Sequence, residues 1–127
     1  MNLEKVIFAF FIILALSVNT SFFISGIMAP DSLQAIELAL ALIVSLICTV
    51  LKFGDRTQFG STVLASSLVV DMLLIAAAVL WGIAAATNSV GLSTAQTATI
   101  LSLAGGALVA NMLSVILLII ETSQLRK

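Results

Sequence analysis

Four long apolar runs, parted by short polar breaks, make up the chain. The runs predict α-helical spans over residues 5–28, 33–53, 59–86 and 95–121, each long enough to cross a hydrocarbon core about 30 Å thick. None alternates apolar and polar positions with period two, which argues against the closed barrel, the other fold that satisfies its backbone in lipid. The breaks carry ordinary helix punctuation. Ala29-Pro30-Asp31-Ser32 ends the first helix, and Asp31 with Gln34 offers a capping box for the second. Phe53-Gly54-Asp55-Arg56 reads as a tight polar turn, and the segment from Asn88 to Thr94 holds Gly91, with Ser93 and Gln96 as the next cap. The expected fold is all-α: a four-helix transmembrane bundle with short loops, one membrane domain over residues 1–127.

Composition sharpens this picture. Hydrophobic residues are 61% of the chain and charged residues 9%, too little polar surface for a soluble domain of this size. The first apolar stretch, from Val6 to about Met28, exceeds the roughly 7–15 residues of a signal-peptide core, and Pro30 follows the candidate cleavage residue Ala29. It is expected to be the first span. The five basic residues set the orientation. Lys5, Lys52, Arg56, Arg126 and Lys127 all fall on one side of a four-span topology, so both termini are expected in the cytoplasm of a plasma (inner) membrane. Phe53 and Phe59 would then mark the inner interface, and Phe22, Phe23 and Trp81 the outer one.

Candidate chemistry is sparse. There is no His and no Tyr, and Cys48 is the single cysteine, so common metal ligands, the commonest general base and an intrachain disulfide are missing. No metal-ligand cluster, phosphate loop or basic nucleic-acid surface appears, and Lys5 and Lys52 lie too near helix ends to activate a mid-membrane serine. No cofactor, metal or catalytic residue is expected, and the chain reads as a non-enzyme.

The informative residues are polar groups placed in hydrocarbon. Asp71 falls near the middle of the third span, where a carboxyl costs at least a few kcal/mol unless it faces protein or water. On a helical wheel it shares a face with Gly60, Ser67, Ala78, Gly82 and Ala85. Counted at 1.5 Å per residue from the inner ends, Asp71 lies roughly 16–18 Å deep, Asn111 roughly 15 Å, and Ser45 and Ser114 roughly 10–12 Å. With Ser67 they form an inner polar layer. Asn19 and Glu37, both at roughly 22–24 Å by the same count, form an outer one. Such layers suit an ion pathway and suit a hydrogen-bonded bundle equally. Asp71 with Glu37 makes no acid–base pair, since their depths differ.

Packing is predicted along small-residue rows: Ala98, Ser102, Gly106, Ala110 and Ser114 on the fourth span, and Ala41, Ser45 and Thr49 on the second. The fourth-span row fits either packing inside one bundle or a subunit interface. The turn with Lys52, Asp55 and Arg56 is a topology anchor, or a contact for a soluble partner or anionic headgroups.

Met1 to Phe8, the loop region Val50-Leu51-Lys52-Phe53-Gly54-Asp55-Arg56-Thr57-Gln58-Phe59-Gly60 and the run Leu64 to Asp71 resemble a family of small, uncharacterised four-span proteins of the bacterial inner membrane. The likeness covers roughly the first two-thirds of the chain and implies a bacterial origin and four spans, without an activity or functional residues. The fourth span has no arginine series of a voltage sensor, and the first no embedded Glu of small multidrug transporters. The leading expectation is a small channel, or an accessory subunit supporting proton or cation translocation through Asp71, acting as an oligomer. The alternative is a structural or assembly subunit that binds another membrane protein through a small-residue helix face. Its surroundings would be the lipid bilayer, further copies of itself or a larger membrane complex, with no nucleic acid.

Overall fold

The computed structural model describes residues 3–29, 35–53, 58–87 and 91–125. The Asp31–Gln34 cap, Asp55, Arg56, Arg126, Lys127 and the Phe59 side chain lie outside the described parts. Four helices carry the fold: α1 (Leu3–Met28), α2 (Ala35–Lys52), α3 (Gln58–Thr87) and α4 (Thr94–Leu125). No strand occurs among the described residues. All four helices are long and apolar enough to cross a membrane. With 32 residues, α4 runs past its predicted end at Glu121, since no breaker follows that residue.

Helices adjacent in sequence pack side by side, and α4 returns to α1, closing a four-membered ring. Neighbours run antiparallel. The Lys52 ammonium at the end of α2 sits 4.4 Å from the ring centroid of Phe8, near the start of α1. Ser66 meets Ser114 across α3 and α4, and Leu73 lies against Gly106 further along the same seam. The predicted cap of α4 forms as a reciprocal box: Ser93 N–H donates to Gln96 Oε1 at 2.9 Å, and Gln96 N–H to Ser93 Oγ at 3.1 Å. Before it, Gly91 takes φ 92°, a left-handed turn conformation that glycine adopts without steric cost.

Two apolar clusters fill the bundle. One, at the end where α1 begins, gathers Phe8, Ile12, Ala15, Val44, Cys48 and Val63. The other, towards the far end, gathers Phe22, Leu38, Ala41, Val70, Leu74, Ala77, Ile100, Ala104 and Ala107. Phe22 is therefore a core residue and not an interface anchor. It is 1% exposed, and its ring lies 6.3 Å from that of half-buried Trp81. An interfacial place suited it only while its helix face was unknown.

The small-residue ridge needs a similar correction. On α4 the buried positions are Ile100, Ala104, Ala107, Asn111 and Ser114, whose 4-3-4-3 spacing stays on one face. A row at every fourth residue drifts about 40° per step and turns away from the interior. Ser114 is buried and Ala110 half-buried, and Gly106 lies at the edge of the α3 seam against Leu73, but Ser102 and Ala98 face outwards. On α3, likewise, Gly82 and Ala85 of the predicted face are exposed, while Leu74, Ala77 and Ala84 are buried.

The tight contacts between α1 and α4 fall instead at Gly26 and Gly105. A Cβ at Gly105 would stand 2.9 Å from Phe23 Cε1, and one at Gly26 would run into Leu101 Cδ2. These two glycines make room for the larger side chains opposite them.

Candidate functional site: a buried carboxyl and its hydroxyl partners

Asp71 lies halfway along α3 and is 5% exposed. Its position on the wheel explains its partners. The buried face of α3 centres on Val63, Val70, Leu74 and Ala77, and Asp71 stands about 100° from Val70 at the edge turned to α2. There α2 presents Ser45 and Thr49, one turn apart and therefore stacked on one face. Ser45 Oγ donates to Asp71 Oδ1 at 2.6 Å, and Thr49 Oγ1 donates to Oδ2 at 2.5 Å. Each carboxyl oxygen thus receives one hydroxyl, both from a single neighbouring helix. Val44 and Cys48, one position earlier on α2, turn into the apolar cluster with α1.

Ser66, about 140° round α3 from Asp71, occupies the opposite edge and meets α4. Its hydroxyl and that of Ser114 lie 2.5 Å apart, and either can donate. Ser66 Oγ also reaches its own Val63 carbonyl at 2.8 Å, and Ser114 Oγ the Ala110 carbonyl at 3.3 Å. The central segment of α3 is therefore tied to α2 through a carboxyl and to α4 through a hydroxyl pair.

Two amides line the interior from the remaining sides. Asn19 is 1% exposed on the inward stripe of α1, and Asn111 is 3% exposed on the inward stripe of α4. Neither amide atom of Asn19, nor Nδ2 of Asn111, has a hydrogen-bond partner among the described residues. In the core of a membrane protein an unmatched polar atom costs several kcal/mol. Three such atoms give the interior hydrogen-bonding capacity that the helices leave unused.

The polar residues anticipated from the sequence thus fall into different groups. Ser45 joins Asp71 directly. Ser114 joins Ser66 instead, and Ser67, buried one turn before Asp71, makes none of the described bonds to it. Asn111 is buried but supplies no bond to Asp71, whose partners come from α2. The outer pair is not joined either. Asn19 bonds to nothing described, and half-buried Glu37, whose Oε2 is also unpartnered, stands two turns from Ser45 along α2, roughly 12 Å. Lys52 is half-buried over Phe8. Thr49 as a carboxyl partner and Ser66 as the link to α4 were missed. The four-residue step from Ser45 was a usable signal for Thr49; nothing local distinguished Ser66 from Ser67.

Fold and site define a small four-helix membrane-spanning bundle with a hydrogen-bonded carboxyl in its interior. The chain belongs to a family of unknown function (DUF6394), whose model matches residues 32–122. That match takes in α2, α3 and nearly all of α4, and with them every residue bonded to Asp71; α1 and Asn19 lie outside it. No curated protein and no solved structure matches the chain.

Proposed function

We propose that this protein is a small multi-pass protein of the bacterial inner membrane that supports proton or cation translocation, as a channel or as an accessory subunit of an ion-transport complex. Asp71 is its exchanging group, and the protein is not an enzyme. The observation that carries this reading is unmatched polar capacity in a bundle interior that also buries a carboxyl. A bundle needing only helix registry would leave few unpaired amide atoms; Asn19 and Asn111 leave three. Hydrogen-bonding solutes such as water or a hydrated cation use that capacity.

Both termini face the cytoplasm in this reading, because Lys5 and Lys52 lie at the same end of the bundle. Single-cysteine labelling at the two ends of the bundle checks it; the native Cys48 is buried and gives little background. The functional test is flux in reconstituted vesicles. Wild-type protein is expected to pass protons or monovalent cations, and Asp71→Asn to lower that flux at least about a hundredfold, the scale of a positioned proton-transfer group. Equal flux in both proteins would overturn the reading.

A second reading rests on a separate observation. Ala98 and Ser102 form an outward small-residue stripe on α4, and the Ser102 hydroxyl is satisfied by its own Ala98 carbonyl at 2.9 Å. Such a stripe permits close approach of another helix. In this reading the protein is an assembly subunit, or associates with itself, through α4. Ser102→Leu would then abolish co-purification of the partner while the isolated bundle stays folded.

A further inference from the structure

Thr49 differs from the other partner of Asp71 in one respect. Its hydroxyl has two acceptors in reach: Asp71 Oδ2 at 2.5 Å and the carbonyl of Ser45, one turn back on its own helix, at 3.1 Å. A hydroxyl carries one hydrogen and two acceptor lone pairs, so it serves one of these at a time and can accept in the direction it vacates. Ser45 Oγ, by contrast, makes one described bond, to Asp71 Oδ1.

We infer that Thr49 is a hydroxyl rotor that lets Asp71 take up and release a proton without movement of heavy atoms. The inference rests on the proton form of the function proposed above. In the charged state Ser45 and Thr49 both donate to the carboxylate. One proton, delivered by hydronium from water in the bundle interior, adds to Oδ2 and leaves a water molecule behind. The new carboxyl O–H then donates to Thr49 Oγ1, and the Thr49 hydrogen swings to the Ser45 carbonyl. Ser45 continues to donate to Oδ1. One O–H bond breaks in hydronium and one forms on the carboxyl, their opposite charges cancel, and no hydroxyl loses its partner in either state. Release runs the same steps backwards.

The surroundings suit such a cycle. From α2 the titratable neighbours are Cys48, which turns into the apolar cluster, and Lys52, one turn beyond Thr49 with its ammonium over Phe8. From α4 the inward groups nearby are the neutral Asn111 and Ser114, and from α1 the neutral Asn19. A rotor with a built-in alternative acceptor removes the cost of stranding a buried donor during exchange.

Thr49 is a positioning residue, and its test separates rotation from packing. Full-length protein in phosphatidylethanolamine–phosphatidylglycerol vesicles is subjected to pH jumps, and the infrared carboxylic C=O band absent from Asp71→Asn is followed in time. Thr49→Val keeps the shape and removes the hydroxyl; Thr49→Ser restores the hydroxyl with less bulk. Thr49→Val is expected to slow the band's rise and decay at least about tenfold, with its final amplitude kept, and Thr49→Ser to stay within about twofold of wild type. Equal rates in wild type and Thr49→Val would overturn the proposal, as would equal slowing in Thr49→Val and Thr49→Ser. Should Thr49→Val fail to fold, Thr49→Ala carries the same comparison. A wild-type protein with no Asp71-dependent band at any pH would overturn the underlying proton reading as well, a result distinct from a band that forms at unchanged speed.

Discussion

The α2–α3 seam and the α1–α4 seam solve the problem of a polar group in a membrane bundle differently. Across α2 and α3 a carboxyl is matched oxygen by oxygen with Ser45 and Thr49. Along α1 and α4 Leu101 and Phe23 pack into the room left by Gly26 and Gly105, yet Asn19 and Asn111 keep atoms without partners. The first seam is held by directed bonds, the second by shape. Unused amide capacity therefore gathers on the side packed by shape, and Glu37 Oε2 on α2 adds a further unpartnered atom.

Several substitutions break or sharpen that contrast. The largest stability effect is expected from Asp71→Ala, which removes both bonds of the α2–α3 seam. At about 1 kcal/mol for each interhelical bond in a membrane, unfolding in detergent micelles should be easier by roughly 2 kcal/mol. No loss would mean that shape holds this seam too. Next comes Gly26→Val on the other seam. Its Cβ meets Leu101, and overpacking should cost about 1–3 kcal/mol in the same assay. A neutral result would show that Leu101 yields freely and that the approach is not tight.

Asn19→Leu is a test of sign. If water or a cation uses the amide, the substitution costs about 1 kcal/mol; if the amide is an unrelieved penalty, it stabilises the bundle by a similar amount. The expected result is a loss, read as a lower midpoint for thermal unfolding. The smallest change is expected from Ser102→Leu on the outward face of α4, within about 0.5 kcal/mol for the isolated bundle. Should the same substitution alter the mass of the detergent-solubilised assembly, the assembly reading gains and the two seams are no longer the whole of the protein's packing.

Much of this molecule could be read without a structure. The apolar runs contained four helices because only runs of that length, free of breakers, can satisfy their backbone across lipid. The Ser93–Gln96 cap was legible because a capping box is a local contact three residues apart. Asp71 was marked out by its cost in hydrocarbon, which depends on residue type and position along the span alone. Which way each helix turns was not legible. In a soluble helix the apolar stripe points inwards, but here the lipid-facing side is apolar as well, so hydrophobicity does not separate the two faces. That is why Ala98 and Ser102 fitted packing inside the bundle and lie outside, and why Phe22 read as an anchor and lies in the core. Only tertiary structure chose Ser45 and Thr49 over Asn111 for Asp71, paired Ser66 with Ser114 and left Asn19 unmatched. Partnership between helices depends on their relative rotation and axial offset, quantities that no single helix encodes.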